Sequence, residues 1–134
     1  MKPLKIGRTF ELKILIDKGM TAKFFDCEIH PLYSTFDIVK HSEYAGRMAI
    51  LQSLEPNEDA IGSSVYIDHI NTAIVGDIVK IKAEVVEIDL NIIKCNITVT
   101  SISGETIALG FTKQKVVNKQ KLSKKIKELY KSKL

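Results

Sequence analysis

The clearest structural signal in the chain is residues 77–102, which read DIVKIKAEVVEIDLNIIKCNITVTSI. Apolar and polar residues alternate through residues 77–89 and again through residues 92–102. Period-two alternation is typical of strands that bury one side. The link at residues 89–91 is so short that the two strands must be antiparallel neighbours. This stretch therefore predicts the centre of an antiparallel sheet.

Three further segments extend the pattern outward. Residues 8–16 alternate in the same way, and residues 63–73 and 105–117 predict two more strands. Gly76-Asp77 and Ser103-Gly104 are typical turn sequences. We therefore expect one early strand and then four strands in meander-like order.

Residues 36–54 are the best helix candidate before the C-terminal tail. Apolar residues recur there at spacings of three and four, Asp37 is a plausible N-cap, and Glu55-Pro56-Asn57 ends the pattern. Residues 20–35 are expected to form an irregular loop, with His30-Pro31 as turn chemistry. One long helix beside an antiparallel sheet predicts an α+β fold. A sheet covered on one side leaves an edge or face exposed, so a homodimer or a dimer of dimers is expected.

Composition and charge describe one globular domain with a basic tail. The chain has 134 residues, of which 45% are hydrophobic and 27% charged. Residues 118–134 carry seven Lys and one Glu, a net charge of +6, whereas residues 1–117 carry 13 Lys and Arg against 15 Asp and Glu, a net charge of −2. Because the basic residues lie on an appendix and not across a folded face, no nucleic-acid partner is expected. We predict a domain over residues 1–117 and a basic amphipathic helix over residues 118–134, docked on the domain by Leu122, Ile126, Leu129 and Tyr130.

The expected environment is cytoplasmic. No apolar run approaches the roughly 20 residues of a membrane helix, and the N-terminal residues have no apolar segment typical of a secretory signal. Cys27 and Cys95 are therefore expected to be free thiols. They form no CxxC pair, and no metal or cofactor is expected.

Four residues are candidates for chemistry. Glu43 is either a solvated helix carboxylate or a base or nucleophile in a partly dry cleft. His69 shares the apolar face of its strand with Val65 and Ile67, as either a core histidine or a proton carrier. Thr35 alone would be a capping residue, and Gly62 alone a turn glycine.

The arrangement of these residues resembles the fluoroacetyl-CoA thioesterase family of hotdog proteins. The resemblance lies in Ser34-Thr35, Glu43-Tyr44-Ala45, Leu54-Glu55-Pro56, Ile61-Gly62 and Asp68-His69, without a gap from Thr35 to His69. It implies a sheet wrapped around one long helix, paired as a dimer. It also implies that Thr35, Glu43 and His69 are catalytic and that the Gly62 N–H faces the thioester oxygen. The last strand departs from the family, because Gln114 stands near the family's arginine.

The resulting prediction is an acyl-CoA thioesterase that hydrolyses a small or short-chain acyl-CoA to the free acid and CoA. The aromatic residues Phe24, Phe25, Tyr33 and Phe36 are expected to form the acyl pocket or its lid. The alternatives are a hotdog hydratase or dehydratase and a non-catalytic acyl-CoA binding or sensing module. Eight helical residues rise about 12 Å, so Thr35 and Glu43 cannot meet within one straight helix. Thr35 must therefore lie in a loop that folds back, or act across a subunit boundary.

Overall fold

The computed structural model describes all 134 residues and contains seven strands and two α-helices. The strands are β1 (Thr9–Leu15), β2 (Thr21–Phe24), β3 (Cys27–Tyr33), β4 (Glu58–His69), β5 (Ile78–Asp89), β6 (Ile92–Ser101) and β7 (Thr106–Asn118). The helices are α1 (Thr35–Ile50) and α2 (Lys119–Lys131). Five strands form one antiparallel sheet in the order β1-β5-β6-β7-β4, and β2 and β3 form a separate hairpin. Helix α1 packs against the sheet, so the predicted α+β architecture, a sheet wrapped around one long helix, is confirmed.

The alternation of apolar and polar residues along β5 and β6 determines which side of the sheet is buried. Every second residue from Val79 to Val85 and from Ile93 to Val99 is at most 2% exposed. Small residues on α1 lie against this surface, because Ala45, Gly46 and Ala49 are all buried. Without bulky side chains at these positions the helix lies close to the sheet. The core therefore forms between α1 and the central strands.

The predicted order of the strands is wrong for β4. Gly76-Asp77 was expected to turn the chain between neighbouring strands, but β4 pairs with β7, at the opposite side of the sheet from β5. Residues 70–77 instead cross the ends of β6 and β7, and the buried Ala73 accepts a hydrogen bond from the Tyr33 N–H. The crossing leaves one edge of β4 without a partner strand.

The predicted loop at residues 20–35 is also wrong, because most of it is the β2–β3 hairpin. Phe25 and Asp26 turn this hairpin with positive φ angles of 51° and 65°. The pairing is irregular at Ala22, where the register shifts on both sides. Pro31 is accommodated because β3 is an edge strand, where a residue without an N–H breaks no ladder.

The N-terminus of α1 differs from the sequence expectation. Ser34 is the N-cap, and its Oγ accepts a hydrogen bond from the Asp37 N–H at 3.0 Å. Asp37 therefore lies in the first turn, where the negative charge of a carboxylate interacts favourably with the helix dipole. Thr35 becomes the first helical residue, which excludes the folded-back loop.

The C-terminal helix does not dock as expected. Asn118 caps α2 by accepting a hydrogen bond from the Lys121 N–H, but no residue of α2 is buried. Leu122 is half-buried, whereas Ile126, Leu129 and Tyr130 are exposed. The apolar stripe thus lacks a partner surface within its own chain. Neither helix is long and apolar enough to cross a membrane.

Both cysteines are free thiols, as expected. Cys27 is exposed at the start of β3, and Cys95 lies in the core. Burial raises the pKa of the Cys95 thiol to about 11. The Cys95 thiol is therefore a packing group and a poor nucleophile.

Gly110 in β7 allows β4 to approach closely. A Cβ at this position would overlap the backbone carbonyl oxygen of Tyr66 and crowd Ile67 Cα. Because the obstacle is backbone, Gly110→Ala must displace β4 from β7, and we expect it to lower the free energy of unfolding by about 3 kcal/mol. Urea unfolding of Gly110→Ala beside Leu109→Ala, an exposed neighbour, measures the effect. Equal midpoints for the two variants would contradict the close approach.

Candidate active site

A β-bulge in β4 places the candidate residues of that strand on one side of the sheet. Gly62 pairs with Gln114, but the next pair is Ser64 with Lys113, so Ser63 is an extra residue. His69 pairs with Ala108. His69 lies seven positions after Gly62, which would place the two residues on opposite faces of a regular strand. The extra residue in the bulge turns the strand by one position, so that Gly62 and His69 both lie on the side of the sheet that faces α1.

Glu43 lies at one end of this strand. Its Oε1 would be 3.0 Å from a Cβ at position 62, so only glycine leaves the carboxylate its present position. The Glu43 side chain is exposed and has neither a hydrogen bond nor an ion pair. It is therefore a solvated carboxylate beside the backbone of Gly62.

A cavity of about 360 Å³ holds Glu43 and Gly62 together with Arg47, Thr112 and Gln114. Gln114 is buried, and its Nε2 lies 3.4 Å from the Glu43 carbonyl oxygen, a long hydrogen bond between β7 and the helix.

Sequence reasoning did not identify Arg47. Its guanidinium donates to Asp59 Oδ1 at 2.8 Å and to the Ala60 carbonyl at 3.0 Å. The Ala60 N–H bonded to the Asp59 carboxylate, and the nearby guanidinium, lower the pKa of Asp59. Arg47 thus holds the start of β4 against α1 and fixes Gly62 beside Glu43. An arginine four residues after Glu43, one helical turn away, was the available signal.

Thr35 and His69 meet at the other end of β4. Thr35 Oγ1 and His69 Nδ1 are joined by a hydrogen bond of 2.9 Å. His69 Nε2 is screened from solvent and has no hydrogen-bond partner. A histidine in an ordinary core has both ring nitrogens satisfied. The pair lines a separate cavity of about 270 Å³.

The aromatic candidates divide into two kinds. Phe24 and Phe36 pack at a ring-centroid distance of 5.7 Å and are about half exposed, and Phe25 is fully exposed at the hairpin tip. Tyr33 is completely buried, and its hydroxyl lies 2.6 Å from His41 Nδ1. Burial raises the Tyr33 pKa and lowers that of His41. Tyr33 therefore supports the start of α1 from within the core.

Within the chain, Thr35 and His69 come together, as do Glu43 and Gly62, but the two pairs stay apart. Seven residues of strand span roughly 23 Å. No cluster of three or more His, Cys, Asp or Glu side chains has the geometry of a metal site. The chain thus presents two pairs of candidate residues at opposite ends of β4, beside its unpaired edge.

Known structures share this architecture. A hypothetical protein of Thermus thermophilus, described as a thioesterase superfamily member, is 30% identical, with a TM-score of 0.95 over 98% of this chain and 97% of its own. The fluoroacetyl-CoA thioesterase FlK is 18% identical, with a TM-score of 0.85 over 95% and 98% of the two chains. A hot-dog-like protein of Thermanaerovibrio acidaminovorans is 16% identical, with a TM-score of 0.85 over 95% and 93%. No curated protein sequence matches the chain significantly.

The family model described as fluoroacetyl-CoA-specific thioesterase matches residues 16–120. This range contains both pairs of candidate residues, the bulge in β4 and Gln114. The fold inferred from the sequence, the likeness to hotdog structures and the family match agree, and the chain belongs to the fluoroacetyl-CoA-specific thioesterase family of hotdog proteins.

Proposed function

We propose that the protein is an acyl-CoA thioesterase that hydrolyses small or short-chain acyl-CoA to the free acid and CoA. One observation carries the proposal: a free carboxylate beside a strand glycine and a threonine–histidine pair lie on the same side of β4. Family membership supports thioesterase chemistry in general. The acyl group and the roles of the residues are our inference.

These groups suffice for thioester hydrolysis. Glu43 either takes a proton from the attacking water or attacks the carbonyl itself, giving a mixed anhydride that water then cleaves. The Gly62 N–H stabilises the oxyanion as the carbonyl becomes tetrahedral. The C–S bond breaks, and His69 donates a proton to the departing CoA thiolate. The proton released from the attacking water then re-protonates His69. Thr35, bonded to Nδ1, fixes the orientation of the imidazole ring. Water and acyl-CoA give the acid and CoA, and this reaction balances without a cofactor.

Assembly of two chains would join the two pairs of candidate residues, so that each pair forms half of a shared site. The free edge of β4 is apolar over part of its length, because Ile61, Val65 and Tyr66 are 39–56% exposed. Antiparallel pairing of two such edges, centred near Val65 and Tyr66, would bring Gly62 of one protomer opposite the partner's His69. Glu43 would then face the partner's threonine–histidine pair. Burial at this boundary would also supply the dry environment that Glu43 lacks in a single chain.

The acyl group would lie near the aromatic residues that flank Thr35. Phe36 follows Thr35 directly, and Phe24 packs on Phe36 from the hairpin. Phe25 at the hairpin tip is free to close over a bound acyl chain. Tyr33 contributes by holding the start of the helix, since its side chain is buried.

The structure also bears on the alternatives. A hydratase or dehydratase would need an Asp and a His that act together, but the adjacent Asp68 and His69 point to opposite faces of β4, as their partners Leu109 and Ala108 do. The non-catalytic binding module is the second candidate, and the solvated state of Glu43 in one protomer favours it. Hydrolysis separates the two, because only an enzyme releases free thiol.

The first experiment measures thiol release from acetyl-, propionyl-, butyryl- and palmitoyl-CoA. We expect turnover of the short substrates, and a loss of at least about 10²-fold in kcat for Glu43→Gln, since a positioned base supplies ~10²–10⁴. Glu87→Gln, on the exposed side of β5, is the matched control and should keep full activity. Thiol release by Glu43→Gln at the control rate would remove Glu43 from the mechanism. CoA binding without any thiol release would establish the binding module instead.

A second experiment tests substrate choice. Acetyl-CoA differs from fluoroacetyl-CoA by one small atom, which packing alone discriminates by only ~1–3 kcal/mol. Gln114 lies on β7 near the place of the family's arginine, so we expect kcat/KM for the two substrates to differ by less than about 10³-fold. A preference above about 10⁴ for the fluorinated substrate would show a dedicated specificity device in this chain.

A third experiment tests the shared site by mixing two inactive variants. Co-expressed Glu43→Gln and His69→Ala chains should recover activity, because each mixed dimer contains one intact site and one doubly altered site. Random pairing predicts about a quarter of the wild-type activity. Light scattering on the same samples should give about twice the chain mass. If mixed dimers stay inactive, Thr35, Glu43 and His69 act within a single chain. A mass of one chain in light scattering would exclude the assembly.

A further inference from the structure

The cavity beside the Thr35–His69 pair is lined mainly by polar side chains. Its volume of about 270 Å³ lies just below the ~300–1,000 Å³ that is typical of ligand pockets, so it suits a small group. No Asp, Glu, Lys or Arg lines it, and its only aliphatic side chains are Leu32 and Ile70. Three further polar residues complete the wall, namely His30, Asn71 and Thr72. A group that enters this cavity therefore meets uncharged hydrogen-bonding side chains more than apolar surface.

His30 presents a hydrogen-bond donor of fixed identity. The Leu32 N–H donates to His30 Nδ1 at 3.3 Å. Because a neutral imidazole carries one N–H and Nδ1 acts as the acceptor, the proton of the His30 ring is on Nε2. That N–H makes no hydrogen bond within the chain, and it is therefore free to donate to a ligand.

Asn71 presents an acceptor. Its Nδ2 donates to the Thr106 carbonyl oxygen at 2.7 Å, and its backbone N–H donates to the Ile107 carbonyl oxygen at 3.0 Å. A carbonyl oxygen can only accept, so the amide nitrogen faces Thr106 and Oδ1 faces away from it. Oδ1 accepts no hydrogen bond within the chain. The cavity thus has a held acceptor as well as a held donor.

A hydroxyl group matches this pair of side chains, because it both donates and accepts and carries no charge. A keto oxygen would use the donor alone, and a carboxylate would find no cation in the lining. In the proposed reaction the thioester adjoins the Thr35–His69 pair, so the acyl chain beyond its carbonyl enters the cavity that this pair lines. Phe24 and Phe36, which flank Thr35, do not line that cavity.

We propose that the preferred substrate is a short hydroxyacyl-CoA, whose hydroxyl on the second or third carbon accepts from His30 Nε2 and donates to Asn71 Oδ1. This inference rests on the proposed function, since it names the substrate class of the same site. Together with the thioester carbonyl, the two hydrogen bonds hold the acyl group at three points. Such a site distinguishes the two enantiomers at the carbon that bears the hydroxyl.

The test compares substrates that differ by one hydroxyl group. The pairs are lactoyl-CoA with propionyl-CoA and 3-hydroxybutyryl-CoA with butyryl-CoA, with both enantiomers of each hydroxylated member. We expect kcat/KM to be about tenfold higher for the hydroxylated member of at least one pair, since two partly exposed hydrogen bonds contribute modestly. In that pair, one enantiomer should exceed the other by about tenfold.

Substitutions in the cavity locate the preference. His30→Phe removes the donor and Asn71→Ala the acceptor, and each should reduce the ratio between the hydroxylated and plain substrates to within about threefold. His30→Gln, whose amide nitrogen still donates, should retain part of the ratio. The matched control is Asn96→Ala, an exposed asparagine on β6 that does not line this cavity, and it should keep the full ratio.

Several outcomes would overturn the proposal. Hydrolysis of both members of each pair at rates within about threefold would remove the hydroxyl from the substrate. A preference that survives in both His30→Phe and Asn71→Ala would place the hydroxyl elsewhere. An equal loss on hydroxylated and plain substrates would mean that the cavity contacts the CoA arm and not the acyl group.

Failure of the proposed function gives a different result. If the protein releases no thiol from any substrate, it is not a thioesterase, but calorimetric titration with the same pairs still decides the cavity. A tenfold tighter Kd for a hydroxylated member would then support the hydroxyl site, and equal Kd values would exclude it. Thermal unfolding verifies that the variants remain folded, and His30→Gln tests the donor if His30→Phe does not fold.

Discussion

The close contact between α1 and the sheet is the constraint on which the rest of the structure depends. A Cβ at Gly46 would lie 2.5 Å from Thr112 Oγ1, so only glycine fits at this crossing of helix and strand. The neighbouring Ala45 and Ala49 keep the same short distance along the helix. Because Glu43 is on the same helix, the packing that closes the core also determines how far its carboxylate lies from β4. The packing of the core and the geometry of the candidate site are therefore coupled through one row of small residues.

The position of β4 at the edge of the sheet matters for two reasons. As an outer strand it has an unpaired row of backbone groups, which proteins commonly cover by association. As the carrier of Gly62 and His69 it holds one member of each pair of candidate residues. A strand in the centre of the sheet has neighbours on both sides, whereas β4 keeps one edge free. Under the proposed assembly, pairing of this edge with a second chain would cover the unpaired backbone groups and bring the two pairs of residues together.

The sequence predicts the centre of this fold better than its connections. Alternation identifies β5 and β6 because their buried side chains face a continuous helix and sheet core. The position of β4 was not predictable in this way, since a short turn at Gly76 is compatible both with a hairpin and with a crossing of strand ends. The β2–β3 hairpin was hidden by Pro31, whose usual preference for turns does not hold in an edge strand.

The candidate site shows the same division. Thr35, Glu43, Gly62 and His69 were identified through their spacing in the chain, which carries the resemblance to a family. Arg47 was missed because its role depends on Asp59 and Ala60, and their approach is set by tertiary structure. The expected docking of α2 also failed. An amphipathic pattern shows that a helix has an apolar side, but it does not say which surface covers that side.

The bulge at Ser63 has a consequence for how this protein family can diverge. A substitution in β4 changes one side chain. Loss of a single residue between Gly62 and His69 would instead turn every side chain on one side of the deletion to the opposite face of the sheet. Such a chain would retain every residue of the site, and a comparison of sequences would still recognise it. Its glycine and histidine, however, would no longer share a surface. In this strand, the count of residues carries information that their identities do not.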